Sequence, residues 1–460
     1  MSLAAAPAAT PPREISPHTL RLLRDPIVPM LLRMAWPNIL IMVAQASAGL
    51  IETWWVSHLG TDALAGMALV FPPVMLTQMV SAGAMGGGIS SAIARALGAG
   101  RREDADALVL HAVVINAALG LFCSGVMLAY GRPIYAAMGG RGGALDAALA
   151  YSDVVFAGNI FLWLMNGLAS AVRGTGNMLV PALVSCVGVA VLAPLSPLLI
   201  FGVGPFPALG VAGGGAAFVL VYAGGAAALA WYILSGRNLA HLRPGRLRWP
   251  LFRDILRIGA VAAVTSIQTN VTIGLATALV ATTAGVDAVA GFGTAARLEY
   301  LLIPLAFGLG APLVALVGTN VGAGQRERAL RIAFIGGAMA FAMTEGVGLA
   351  AALWPQAWLA LFSAKPGMIE TGSAYLRLVG PAYGFFGLGM ALYFASQGAG
   401  RLAWPLASGF VRLTVAVAGG YLALRATGSL SALFAALAAA LAIYGAMLAV
   451  AVRAGVWFRG

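Results

Sequence analysis

A chain of 460 residues that is 61% apolar and only 9% charged, with a mean hydropathy of +0.91, is too apolar for a soluble domain of that length and reads as a polytopic membrane protein. Its net charge is +12, but the basic residues gather in loops between apolar runs, where they set topology and meet anionic lipid heads; a nucleic-acid role is not expected on that ground. The two cysteines, Cys123 and Cys186, lie in apolar segments and read as packing residues.

Residues 1–28 open the chain as an Ala- and Pro-rich stretch without the apolar core of a signal peptide. They are expected to form a disordered cytoplasmic tail that turns into a surface helix near Leu20 to Arg24. Twelve apolar segments follow, at about 30–58, 63–95, 104–130, 146–172, 178–202, 209–235, 254–283, 287–320, 326–354, 368–397, 403–424 and 429–452. The fold class is therefore all-α, with six spans in residues 29–235, a basic cytoplasmic linker at 236–252 and six more spans in 253–460. The 60 glycines point to close helix packing through small residues. Pro37, Pro72, Pro73, Pro194, Pro197, Pro304, Pro312 and Pro381 interrupt spans, which is tolerated where freed backbone is buried or lines a cavity.

The first span holds the anomaly. In I-E-T-W-W-V-S-H-L-G, residues 51–60, Glu52 sits inside apolar sequence just before two tryptophans. A carboxylate in hydrocarbon is costly and marks a functional site by default; the structural alternative is a helix-end residue reaching water.

Loop charges fix the orientation. The side that holds both termini carries twenty of the 27 basic residues, and the opposite side carries four: Arg132, Arg141, Lys365 and Arg425. Arg297, Arg377 and Arg412 fall within spans. The asymmetry predicts cytoplasmic termini.

The chain also repeats itself. Gly98-Ala-Gly-Arg-Arg-Glu103 resembles Gly322-Ala-Gly-Gln-Arg-Glu327, Ala150-Tyr151 matches Ala374-Tyr375, and Gly174-Thr-Gly176 matches Gly398-Ala-Gly400, all at an offset of 224. Asp62-Ala-Leu-Ala-Gly66 matches Asp287-Ala-Val-Ala-Gly291 at 225. Two six-helix lobes in the same orientation, related by a pseudo-two-fold along the membrane normal, would enclose a cavity between them. The acids are not duplicated: Glu52 maps to Ala276, Glu299 to Met75 and Glu345 to Leu121.

Several segments carry a family resemblance: W-P-N at 36–38, the acid followed by W-V-S-H-L-G in 52–60, A-R-A-L-G-A-G-R at 94–101, R-G-T-G-N at 173–177 and V-G-T-N-V-G-A-G at 317–324. Across about residues 30–455 the chain resembles the multidrug and toxic compound extrusion (MATE) family. The resemblance implies two six-helix lobes around a cleft, in a transporter that exports organic cations or other amphiphiles in exchange for protons or sodium. It puts Glu52 at a first-helix acid, and Tyr151 and Asn166 among cavity-lining fourth-helix residues. The chain departs from the pattern in the fifth helix, where Ser196 and Leu192 stand in place of an acid and an Asn. A hard cation wants several oxygen ligands, so the expected coupling ion is H+, with Na+ second.

In the second lobe the candidates are Gln268, Asn270, Arg297, Glu299 and Glu345. Arg297 stands two residues from Glu299 and so does not face it on a helix; it would meet Glu345 or a carbonyl instead. Glu345 reads as structural, and Glu299 reads equally well as a site or as half of an ion pair. Gln45, Tyr300, Tyr383 and Met390 are candidates for the substrate cavity, since aromatic faces suit organic cations and methionine adapts to varied ligands.

An enzyme is not expected. There are four histidines and no H-E-x-x-H or G-x-S-x-G, and no cofactor is implied beyond the coupling ion. The rival within transporters is an exporter or flippase of a lipid-linked precursor or a specific metabolite. A cationic cavity would favour it, and only Arg297 and Arg377 stand out as candidate cations. The expected setting is the bacterial inner membrane, as a multi-pass monomer in contact with lipid and a small-molecule substrate.

Overall fold

The computed structural model describes residues 16–202, 207–283, 285–362 and 365–458; most of the proposed N-terminal tail lies outside them. The surface helix begins earlier than expected. It spans Pro17–Arg24, with Ser16 as N-cap accepting from the Thr19 amide at 3.2 Å and Pro17 at the first turn, where its missing N–H costs nothing.

Twelve spans follow. They are α1 (Ile27–Ser57), α2 (Thr61–Gly98), α3 (Arg102–Ala137), α4 (Gly142–Ala157 and Asn159–Gly174), α5 (Leu179–Phe201), α6 (Val211–Leu234), α7 (Trp249–Thr283), α8 (Val286–Gly322), α9 (Arg326–Leu353), α10 (Pro366–Ala399), α11 (Ala403–Thr427) and α12 (Leu430–Arg453). Eleven are long and apolar enough to cross a membrane alone, and α4 makes the twelfth as a pair of helices bent by 49°.

The breaks follow the repeat. α4 breaks at Gly158, and α10 breaks over the 3₁₀ turn Gly380–Ala382, which contains Pro381. Proline removes a backbone donor and frees its neighbours' groups. One of these is answered by Glu345, whose Oε2 accepts from the Gly384 amide at 2.7 Å. Glu345 thus holds the break in α10 together and does not pair with Arg297. The prolines of α2 and α11 sit in continuous helix, and each of these spans carries a π-helical turn instead, at Met79–Met85 and Val415–Gly419.

Arginine-rich loops and both described chain ends share one face of the bundle, called here the basic face. The two lobes close on each other there. A side chain at Gly98 would strike the Thr319 carbonyl, and one at Gly322 would strike the Arg95 carbonyl, so α2 and α8 touch backbone to backbone. Arg95 adds polar ties from the first lobe to the second. Its Nη2 reaches both Asp254 oxygens at 2.9 Å and its Nη1 reaches the Gly398 carbonyl at 3.0 Å. The linker is also docked. Asp106 accepts from the His241 amide at 2.8 Å, and Asp104 pairs with Arg248 at 2.7 Å. All these closures lie at the basic end, and the space between the lobes lies beyond them.

The glycine seam yields a test. Gly98→Leu should lower the thermal unfolding midpoint of the protein in detergent, by an overpacking cost of about 1–3 kcal/mol. Gly125→Leu on α3, where an added Cβ meets nothing within 4 Å, should leave the midpoint nearly unchanged. Equal effects of the two would show that the seam is not a close contact.

Candidate functional site

Between the lobes lies a cavity of about 770 Å³. α1 walls it from Ile41 to Thr53, with α2, α4, α5 and α6 on the first-lobe side and α7, α8, α10, α11 and α12 on the second. Glu52 is in this wall and only 5% exposed. Its Oε1 accepts from the Tyr151 hydroxyl at 2.6 Å. Backbone closes in from α6, where a Cβ on Gly214 would stand 3.5 Å from both Oε1 and the Tyr151 ring. Among the described residues no cation lies within ion-pair distance of Glu52.

The second lobe answers its own acid differently. Glu299 Oε1 pairs with Arg412 Nη2 at 2.9 Å, and Oε2 accepts from the Tyr375 hydroxyl at 3.3 Å. Tyr375 is the repeat counterpart of Tyr151. Each lobe therefore aims the same tyrosine at a buried carboxylate, but α1 supplies the acid in the first lobe and α8 in the second. Comparing positions at a fixed offset misses this, because the acids come from non-equivalent helices; the repeated Ala-Tyr pair was the signal that pointed to it.

Several expected groupings come apart. Asn166 does not reach Glu52: its amide donates to Ser81 Oγ at 2.7 Å and Gln78 Oε1 at 3.3 Å, and Gln78 donates to the Tyr222 hydroxyl at 3.0 Å. Ser196 is fully buried on α5 with its hydroxyl unpartnered among the described residues; it lies one turn from Ile200, which packs near Glu52, but makes no bond to the acid. Arg297 is exposed, and Arg412 takes the place beside Glu299. Asn270 is exposed and bonds its own helix at the Ser266 carbonyl. Tyr383 is fully buried beside Tyr375 rather than in the cavity wall. Gln45, Gln268 and Met390 do line the cavity, and the Tyr300 side chain lies outside the described residues.

The sequence reading missed two cations. Arg173, inside R-G-T-G-N, reads as a loop residue, and Arg412 had no visible partner because Glu299 is 113 positions away. Both line the cavity. Arg412 also lies over the Phe386 ring at 5.4 Å and the Tyr444 ring at 5.6 Å.

The Glu299–Arg412 pair is buried on both sides, at 11% and 8% side-chain exposure. Removing one partner strands the other, at a cost of about 3–5 kcal/mol, whereas removing both charges is far milder. Glu299→Gln and Arg412→Gln should each lower the unfolding midpoint strongly, and the double variant should recover much of the loss. Additive losses in a double-mutant cycle would show the two groups to be uncoupled.

The chain has relatives over most of its length. The family model described as MatE matches residues 37–198 and again residues 262–422, once per lobe. The chain is 27% identical over 383 residues to the FAD transporter of Shewanella oneidensis, covering 82% of each chain. It is 25% identical over 389 residues to the probable multidrug resistance protein NorM of Thermotoga maritima, covering 84% of this chain and 83% of that one. Its fold matches a crystal structure of MATE in the bent conformation with a TM-score of 0.88 at 23% identity, over 96% of this chain and 98% of that one. With one family model matching both lobes of a twelve-helix bundle around a central cavity, the chain belongs to the MatE family of multidrug and toxic compound extrusion transporters and is a transporter, not an enzyme.

Proposed function

We propose that the protein exports an amphiphilic small molecule from the cytoplasm in exchange for protons, with Glu52 as the proton carrier. One observation carries this reading: Glu52 is a buried carboxylate in the cavity wall, held by a single hydroxyl and left without a cation among the described residues. Glu299, by contrast, is paired with Arg412. Sodium is the poorer candidate. It requires several oxygen ligands, and the nearest partner of Glu52 is a hydroxyl that offers its hydrogen.

The exchange follows from the geometry. With the basic face in the cytoplasm, the lobes are closed inward and the cavity faces outward. A proton arriving from outside converts the Tyr151–Glu52 contact from a charge-assisted hydrogen bond to a weaker neutral one. That loosens α1, which already lacks one backbone donor at Pro37 and forms the cavity wall beside the substrate. Substrate leaves, the lobes rearrange, and the proton is lost to the cytoplasm.

The cavity volume suits a drug-sized ligand. The sequence reading offered organic cations as one substrate class and specific metabolites as a rival. Arg173 and Arg412 in the wall, together with the similarity to an FAD transporter, favour the metabolite side. A multi-pass monomer in a bacterial inner membrane remains the proposed setting.

The test is uptake of FAD and rhodamine 6G into inverted vesicles under a proton or a sodium gradient imposed separately. Uptake should follow the proton gradient and be abolished in Glu52→Gln. Tyr151→Phe should fall ~10-fold, the worth of one hydrogen bond to a charged group. Full gradient-driven uptake by Glu52→Gln would sink the coupling role. Uptake that needs sodium and ignores pH would reject the proton.

A further inference from the structure

We infer that the transported molecule is an amphiphile bearing an acidic group, received by Arg173 of the first lobe and by Arg412 with Gln268 of the second. This names the substrate class of the exporter proposed above and rests on that reading.

The argument begins with charge. Among the described residues, the carboxylate in the cavity wall is Glu52 and the guanidiniums are Arg173 and Arg412. Arg412 is balanced from behind by Glu299. Arg173 is not: its recorded polar contact is Nη2 to the Ser170 hydroxyl at 3.1 Å, within its own helix, and no acid among the described residues reaches it. A guanidinium does not shed its proton to escape burial. Glu52, bonded to Tyr151, stands too far from Arg173 along α4 to answer it in either protonation state, so Arg173 is left uncompensated in the wall. An organic cation would meet guanidiniums there with no carboxylate beside it, whereas an acidic group would supply the missing counter-charge.

A second observation is independent of charge. Gln268 is only 6% exposed, lines the cavity, and neither its amide oxygen nor its amide nitrogen has a hydrogen-bond partner among the described residues. Buried amides are normally satisfied, and one that is not calls for an explanation. Gln268 packs against Gly409, one helical turn before Arg412 on α11, so both groups serve the same part of the wall. Arg412 spends Nη2 on Glu299 and keeps other donors of its five-donor fork, the geometry that matches a carboxylate or a phosphate. The apolar body of the ligand has its own surface in Phe307, Met390, Tyr393 and Phe394, with the Phe307 and Phe394 rings edge to face at 5.0 Å.

The two guanidiniums and the Gln268 amide are not duplicated between the lobes. At the repeat offset, Arg412 corresponds to Gly188, Gln268 to Ala44 and Arg173 to Gln397. They also stand apart from the proton site. Tyr151, which holds Glu52, is 22 residues before Arg173 along the broken α4, which is on the order of 30 Å of helix. Direct attraction between protonation and anion binding is weak over that span, so exchange runs through α1, which borders the cavity from Met42 to Glu52.

Two xanthene dyes of opposite charge test the proposal. Binding of fluorescein and of rhodamine 6G to the purified full-length protein in a neutral detergent is measured by fluorescence anisotropy at low and high salt. Fluorescein should bind at least ~10-fold more tightly than rhodamine 6G, with an affinity that falls as salt rises. Arg173→Gln should weaken fluorescein by about tenfold and leave rhodamine 6G unchanged or tighter, and Arg173→Lys should recover part of the loss. The paired replacement Glu299→Gln with Arg412→Gln, which strands no charge, should also weaken fluorescein. Tighter binding of rhodamine 6G, binding of neither dye, or fluorescein binding indifferent to Arg173→Gln overturns the inference. The assay imposes no gradient. Failure of proton coupling would therefore appear only in the vesicle experiment, with fluorescein binding intact, and failure of the charge class would appear only here.

Discussion

A charge inside the membrane has to be answered from within the protein, and the rest of this structure depends on how each one is answered. Glu345 receives a backbone amide freed at a helix break, and that is a structural solution. Glu299 receives both an arginine and a tyrosine, which neutralises it. Glu52 receives a tyrosine alone. The difference between the last two is what the proposed role of Glu52 as proton carrier rests on. A carboxylate fixed by a guanidinium gains little from protonation and loses an ion pair, whereas one held by a hydroxyl exchanges a charge-assisted bond for an ordinary one.

The duplication explains the shared geometry and also why the two lobes differ in chemistry. Tyr151 and Tyr375 occupy equivalent places, and α4 and α10 break at equivalent places. In each lobe the tyrosine lies on the segment before the break and bonds a buried acid. The acids then arrive from whichever neighbouring helix passes the hydroxyl, α1 in one lobe and α8 in the other. A tyrosine costs little to keep in both copies. An acid in hydrocarbon is kept only where it is either used or paired.

The spans, the two-lobe organisation and the presence of an acid in the first span were legible in the sequence, because hydropathy, repeat spacing and an acid in an apolar run are local signals. Partnerships were not. Glu299 meets Arg412 across 113 residues, and nothing local in either segment announces the other. Arg297 was the tempting partner because it is adjacent in sequence, but helical geometry turns it outward. Asn166 was grouped with Glu52 by resemblance, yet it sits fifteen residues beyond Tyr151, past the break in α4, and joins Gln78 and Ser81 instead. Arg173 was hidden by its motif: next to Gly-Thr-Gly it looks like the start of a loop, and only the packing of α4 shows it at the cavity wall.

The closure at the basic face fits a protein that has to open there. Its polar tie, Arg95 to Asp254, leaves the Asp254 side chain 46% exposed, so the pair is screened and contributes little net stability. The remainder is small residues in backbone contact, where Gly98 meets Thr319 and Gly322 meets Arg95. Such a seam is closely matched while closed, and the long side chain that crosses it at the basic end is Arg95, which would have to withdraw from Asp254 and Gly398 for the lobes to part. Opening would cost dispersion contacts, the exposed ion pair and the Arg95–Gly398 hydrogen bond, and ligands that bind the two states unequally supply energy of that kind. The buried ion pair of Glu299 with Arg412 lies wholly within the second lobe. Charge neutralisation that must persist stays inside a lobe, and the contacts that must break between lobes are the cheap ones.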